Sequence, residues 1–197
     1  MKTLTSIIAI LMLAGATMAQ QNQLPDVKLK NLDGHTVSLS DLADSGSSTV
    51  IVFWKTTNNK CCDNLESLQE VYEETLDGVE VNIISICVDA TGRWSHVKPY
   101  VNAKGYDFET YVDTNGELKR AMNVGNMPCT IVYDQLNNQL CRYDDFCTGY
   151  TDMLCGKIYE HHLYHRRRQG RHDGLAHPVE LSRHGLRPIA RRARFHA

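Results

Sequence analysis

The sequence predicts an α/β domain in which a central mixed β-sheet is flanked by helices. Continuous apolar runs rich in β-branched residues recur along the chain, as expected for buried strands. Amphipathic helical patterns alternate with these runs, which favours a layered α/β architecture. A hairpin signal precedes the first buried run, so we expect the sheet to carry an N-terminal β-hairpin extension.

The hairpin is predicted within residues 27–42, "VKLKNLDGHTVSLSDL". Apolar and polar residues alternate on both sides of Asp33-Gly34, a dipeptide that is typical of hairpin turns. The run "STVIVFW" at 48–54 is continuously apolar after its first residues and is bounded by polar loops. It is therefore predicted to be a central strand that is buried on both faces.

A helix is predicted to follow this strand and to begin near Cys61. Leu65 and Leu68 recur at helical spacing, and glutamates lie toward the other side. Further elements are predicted in this order: a buried strand at 79–89, a helix within 92–106, a short edge strand at 108–113, a turn and short helix within 115–128, two strands at 129–134 and 138–146, and a last amphipathic helix through Leu154 and Ile158.

The predicted domain covers residues 24–165, and the segments on either side of it differ in composition. Residues 1–19, "MKTLTSIIAILMLAGATMA", combine one lysine, an apolar core too short to cross a bilayer and small residues at the end. This pattern predicts a secretory signal peptide that is cleaved before Gln20. We therefore expect an exported protein, in the periplasm of a Gram-negative cell, with no stable membrane span after cleavage.

The charges of the chain are distributed unevenly. Residues 1–165 have a net charge of −9 and residues 166–197 one of +7, which together give the total of −2. The basic segment lacks sustained apolar periodicity, so we expect a disordered tail or a loosely held helix. Two explanations of this basic segment are favoured: a tail without a function of its own, or an altered reading frame at the end of the gene. A tail that binds polyanions is the less favoured explanation. No nucleic-acid partner is predicted.

Seven cysteines occur, at Cys61, Cys62, Cys87, Cys129, Cys141, Cys147 and Cys155. No two of them form a C-x-x-C motif, which excludes the usual zinc-ribbon and dithiol redox patterns. No metal site and no bound cofactor are predicted. Cys61 and Cys62 are expected in the first turn of a helix, where the macrodipole favours thiolate over thiol. At least one reactive thiol is therefore expected there.

Several segments in a fixed order identify a family. The hairpin, the strand "VIVFW", the helix entered at Cys61 and "DTNGELKRAMNVGNMPCTIVYD" resemble secreted thioredoxin-like proteins of the TlpA and ResA type, which are related to AhpC/TSA. The resemblance implies a thioredoxin-like fold. In that family the strand leads into W-C-x-x-C, and a later X-Pro bond, usually cis, lies beside the cysteine pair. Met127-Pro128 matches that bond.

The motif itself departs from the family pattern. The alignment places Asn58 at the first cysteine and Cys61 at the second. The resemblance implies thiol-disulfide exchange with protein thiols or disulfides as substrates and an external thiol as reductant. We therefore expect an atypical, single-cysteine type of exchange. Cys61 is predicted as the nucleophile, with Cys62 or Cys129 as the resolving or auxiliary thiol.

The remaining predicted site residues orient a substrate. They are Trp54, Asn58, Met127 and Pro128. One alternative function is a non-catalytic binding module, in which the groove between Trp54 and Met127-Pro128 holds an extended segment by strand addition. A second alternative is a peroxiredoxin-like thiol peroxidase that acts through Cys61 alone.

Overall fold

The computed structural model of the 197-residue chain describes residues 23–43, 46–73, 79, 81–89, 94–147 and 149–170. The chain divides into two compact units, Met1–Leu163 and Tyr164–Ala197. The predicted signal peptide, residues 1–19, lies outside the described residues, as do residues 171–197 of the basic segment. The predictions for these two segments therefore stay predictions.

The strands are β1 Lys28–Asn31, β2 Thr36–Ser38, β3 Ser48–Trp54, β4 Val81–Cys87, β5 Glu109–Val112, β6 Cys129–Tyr133 and β7 Gln139–Tyr143. They form one seven-stranded sheet in the order β2-β1-β5-β4-β3-β6-β7. The pairs β3-β4 and β4-β5 are parallel, and the other neighbours are antiparallel. The predicted mixed sheet is confirmed.

The helices are α1 Leu39–Leu42, α2 Asn59–Glu73, α3 Val97–Lys104, α4 Glu117–Ala121 and α5 Tyr150–Gly170, with a 3-10 turn at Trp94–His96 before α3. Buried residues of α2, α3 and α5 share one apolar cluster, and those of α1 and α4 share another. The two clusters lie on opposite faces of the sheet, because neighbouring residues of β3 alternate between them. The predicted arrangement of helices around the sheet is confirmed.

The N-terminal hairpin is present as predicted. Strand β1 pairs with β2 antiparallel, and Gly34 at the turn has a φ of 87°, which favours glycine. The same strand also pairs with β5, where Lys30 lies opposite Val112. The prediction of an edge strand at 108–113 is therefore wrong, because the hairpin extends the sheet beyond β5.

The burial of strand β3 on both faces explains why its sequence is continuously apolar. All seven of its residues are buried, since helices cover both faces of the sheet. Val52 and Trp54 point to the face of α2, whereas Ile51 and Phe53 point to the other. Helix α2 begins only five residues after Trp54, so the start of α2 lies at the carboxyl ends of the parallel strands.

Helix α5 reaches Gly170, five residues past the predicted domain boundary at residue 165. Its buried residues Tyr150, Leu154 and Ile158 pack on the face of the sheet that α2 covers. Within the described part of the chain, no helix is both long enough and apolar enough to span a bilayer.

Candidate active site at the start of helix α2

Asn58 caps helix α2. Its Oδ1 accepts a hydrogen bond from the backbone N–H of Lys60 at 3.0 Å, and its carbonyl accepts one from the N–H of Cys61 at 3.0 Å. Asparagine is among the residues preferred at this position, because its side chain satisfies a backbone donor that the helix leaves unpaired. The side chain of Asn58 thus has a structural role at the start of α2.

The side-chain amide of Asn58 also reaches across to the loop before β6. Its Nδ2 donates a hydrogen bond to the carbonyl oxygen of Met127 at 3.0 Å. The Met127-Pro128 peptide bond is cis, as the resemblance implied. Met127 is half-buried and Pro128 is buried. The structure therefore brings together three of the predicted site residues, Asn58, Met127 and Pro128.

Cys61 points into the core. Its side chain is fully buried in the cluster that contains Trp54 and Leu65. Burial raises the pKa of the Cys61 thiol to about 11, although a backbone hydrogen bond at Lys55 opposes this shift. A buried thiol with a raised pKa is a poor nucleophile. The structure therefore does not support the prediction of Cys61 as the attacking thiol.

Cys62 faces outward from the same helical turn. Its side chain is partly exposed. Its sulfur lies 2.8 Å from the hydroxyl oxygen of Tyr100, and its thiol donates to the carbonyl of Asn58 at 3.5 Å. Of the two adjacent cysteines, Cys62 is thus the one that a substrate can reach.

Cys129 is not near Cys61. In the β3-β6 ladder it lies opposite Phe53, and both side chains belong to the cluster on the face away from α2. Burial raises the pKa of the Cys129 thiol to about 12. The predicted pairing of Cys61 with Cys129 is therefore wrong, because the sheet separates the two side chains. All seven cysteines are thiols in the structure.

Trp54 is fully buried at the end of β3. Its indole N–H has no hydrogen-bond partner among the described residues, and its ring centroid lies 5.6 Å from that of Tyr100. A side chain without exposed surface cannot contact a substrate directly. Its predicted role as a substrate-orienting residue is therefore corrected: the buried ring of Trp54 packs against the ring of Tyr100.

Two residues of the site were missed by the sequence analysis. The carboxylate of Asp89 accepts hydrogen bonds from the backbone N–H of Thr56, at 3.1 Å, and from the Thr56 hydroxyl. These bonds hold the loop between β3 and α2. An acidic residue directly after a buried strand was the available signal for Asp89. Nothing in the sequence pointed to Tyr100, because its approach to Cys62 depends on how α3 packs against α2.

Comparisons with known proteins agree with this architecture. Residues 21–138 match the AhpC/TSA family. The thiol-disulfide oxidoreductase ResA of Oceanobacillus iheyensis is 32% identical over 111 residues, which are 54% of this chain. The matched segment covers 55% of ResA, so the chain spans about half the length of this relative.

Solved structures are similar over a larger share of the chain. A thioredoxin-like protein from Porphyromonas gingivalis is 33% identical, with a TM-score of 0.61, over 70% of this chain and 90% of that one. A secreted disulfide oxidoreductase of Mycobacterium tuberculosis is 18% identical, with a TM-score of 0.57, over 68% of this chain and 96% of that one. The thioredoxin-like fold is thereby confirmed.

Proposed function

Because this chain belongs to the AhpC/TSA family, we propose that it is an exported thiol-disulfide oxidoreductase that acts through a single cysteine, Cys62. The observation that carries the proposal is the difference in exposure between the adjacent residues Cys61 and Cys62. Cys62 is partly exposed at the start of α2, whereas Cys61 is fully buried. Asn58, at the position of the missing first cysteine, has no thiol and caps the helix instead.

The position of Cys62 suits nucleophilic chemistry. The thiolate is the attacking form of a cysteine. The start of a helix presents the positive end of its macrodipole, which stabilises negative charge in the first turn. Cys62 lies in this turn, four residues after the capping Asn58. Accessibility and a position in the first turn of a helix therefore coincide at this sulfur.

The exchange takes place in two steps. In the first, the Cys62 thiolate attacks one sulfur of a protein disulfide, a bond forms between the two sulfurs, and the second substrate sulfur leaves as a thiolate that takes up a proton. In the second, the thiolate of an external thiol attacks the substrate sulfur of the mixed disulfide. This step releases Cys62 as a thiolate and forms a new disulfide between substrate and external thiol. One disulfide is consumed and one is formed, so electrons balance without a cofactor.

The external thiol takes the place of a resolving cysteine. The usual partner in the family's motif is aligned with Cys61, which directly precedes Cys62, and two adjacent cysteines can bond only as a strained eight-membered ring. Cys129 is buried on the face of the sheet away from α2, so it is not within reach of a thiol on that helix. One accessible thiol at the start of α2, together with an external reductant, is the combination that the geometry supports best.

The two alternative functions have less support. Strand addition requires free backbone groups beside Met127-Pro128, and the amide of Asn58 already occupies the carbonyl of Met127. A peroxidase that attacks through Cys61 requires that thiol to be accessible and ionised, and it is fully buried with a raised pKa.

Export remains part of the proposal and rests on residues 1–19. We expect the full chain, expressed in a Gram-negative host, to be recovered from the periplasm with Gln20 at its N-terminus. N-terminal sequencing of the periplasmic fraction tests this directly. Recovery of the uncleaved chain from the cytoplasm would contradict it.

The activity is tested with glutathione as the external thiol and bis(2-hydroxyethyl) disulfide as the probe. We expect the full-length protein to accelerate the exchange above the uncatalysed rate, and Cys62→Ser to return it to that rate. The control is Cys147→Ser, which removes an exposed thiol elsewhere and should leave the rate unchanged. Full activity of the Cys62→Ser variant would overturn the proposal.

A further inference from the structure

The sulfur of Cys62 is in direct contact with a second functional group. Its distance to the hydroxyl oxygen of Tyr100, a residue of α3, is 2.8 Å. We propose that Tyr100 is a second catalytic residue, whose hydroxyl donates a hydrogen bond to the Cys62 thiolate and so increases the fraction of reactive sulfur. This inference rests on the proposed function of Cys62.

The direction of the hydrogen bond between Tyr100 and Cys62 is fixed once the thiol ionises. The Cys62 thiol donates its hydrogen to the carbonyl of Asn58 at 3.5 Å. While the thiol is protonated, either group can be the donor in the 2.8 Å contact. A thiolate has no hydrogen, so the hydroxyl of Tyr100 is then the donor. When the thiol ionises, its bond to Asn58 is lost, whereas the bond from Tyr100 remains and becomes charge-assisted. The contact therefore favours the ionised form.

Tyr100 keeps its proton under the conditions in which thiols ionise. Burial raises the pKa of the Tyr100 hydroxyl, and the hydrogen bond to Cys62 raises it further. The buried hydroxyl of Tyr106 acts in the same direction. Tyr100 is consequently a hydrogen-bond donor, and not a base, throughout the neutral and mildly alkaline range.

The tyrosine is held in place before any substrate binds. Its ring packs against the fully buried ring of Trp54, with 34° between the two planes. Val97 and Val101 anchor the same helix in the core. A donor that is fixed beforehand stabilises a developing charge without the cost of reorganisation.

Three other titratable groups lie around the Cys62 sulfur, and we assign hydrogen-bond donation to the thiolate to Tyr100 among them. They are Cys61 on α2, Lys104 on α3 and Tyr106 beyond α3. The Lys104 ammonium is 2.7 Å from the carboxylate of Glu66, which offsets its charge. Cys61 is buried and stays protonated, because its pKa is raised to about 11.

The experiment is the pH profile of Cys62 alkylation by iodoacetamide in the full chain, followed by peptide mapping. Tyr100→Phe retains the ring that packs on Trp54 and removes only the hydroxyl. We expect the midpoint of the profile to move upward by about one pH unit, which lowers the alkylation rate near neutral pH about tenfold. The control Tyr143→Phe removes a hydroxyl from β7 and should leave the midpoint unchanged.

A second measurement covers the case in which Tyr100→Phe does not fold. Growth on 3-fluorotyrosine preserves the packing and makes every phenol a stronger hydrogen-bond donor, so the midpoint for Cys62 should move downward. An unchanged midpoint in a folded Tyr100→Phe variant, or in the fluorinated protein, would overturn this inference and leave the function of Cys62 intact. A wild-type Cys62 that does not react at all would instead overturn the proposed function.

Discussion

The side chain of Asn58 connects the start of α2 to the loop before β6. It accepts a hydrogen bond from the N–H of Lys60 and donates one to the carbonyl of Met127, both at 3.0 Å. A cysteine side chain has one weak donor and one weak acceptor on the same atom and cannot reproduce this pair of bonds. Asn58 is therefore a structural link between the two sides of the site.

Loss of this link should be measurable as a loss of stability. We expect Asn58→Ala to lower the free energy of unfolding by about 1–2 kcal/mol, because a helix cap and a bridging hydrogen bond disappear together. Urea unfolding measures the change. The matched control is Asn59→Ala, at the exposed neighbouring position. Equal effects at the two positions would show that the bonds of Asn58 contribute nothing.

A thiol at position 58 should introduce two-cysteine chemistry. Asn58→Cys creates a C-x-x-C motif with Cys61, and we expect insulin reduction in the presence of dithiothreitol to rise at least about tenfold. The added replacement Cys61→Ser should abolish the gain, and Thr57→Cys, which creates no C-x-x-C motif, should not produce it. If a folded Asn58→Cys variant shows no gain, the alignment of the loop with the family motif is wrong.

The buried thiols make stability depend on alkaline pH. Burial raises the pKa of Cys61 to about 11 and that of Cys129 to about 12, from a reference value of 9.0. The unfolded chain loses these protons at lower pH than the folded one, so their contribution is complete below about pH 9 and is lost as pH rises toward 12.

Urea unfolding at about pH 8 and about pH 10.5 tests this dependence. We expect the wild type to lose more stability between the two conditions than Cys61→Ala does, because the variant lacks one of the thiols that ionise on unfolding. An identical loss in both proteins would mean that Cys61 titrates normally in the folded state.

The loop between β3 and α2 should depend on Thr56. Replacement by Val removes the hydroxyl that donates to the buried carboxylate of Asp89. We expect a loss of about 1 kcal/mol in the free energy of unfolding and a slower exchange reaction. Thr57→Val changes the exposed neighbour and is the control. Equivalent stability of the two variants would contradict the role of this hydrogen bond.

The fold was predictable where local signals and burial agree. Asp33-Gly34 identified the first hairpin, and the unbroken apolar run ending at Trp54 identified a strand covered on both faces. Strand β5 was misplaced at an edge because its pairing with β1 joins segments about eighty residues apart. Such a long-range pairing leaves no mark on the short sequence of either strand.

Which of the two adjacent cysteines is buried could have been predicted from the sequence. Cys61 precedes Leu65 by four residues and Leu68 by seven, so all three lie on the apolar face of α2. The helical period places Cys62 about 100° around the helix from Cys61 and therefore away from the centre of this apolar face. The position of Cys129 could not be read in this way, because it follows from its register opposite Phe53.

The most direct measurement is competition among the thiols of the full chain for a limiting amount of iodoacetamide near neutral pH, read out by peptide mapping. We predict that Cys62 is labelled first, ahead of the exposed Cys147, and that Cys61 is labelled only after unfolding. Labelling of Cys61 before Cys62, or an inert Cys62 beside a reactive Cys147, would contradict a single-cysteine site at Cys62.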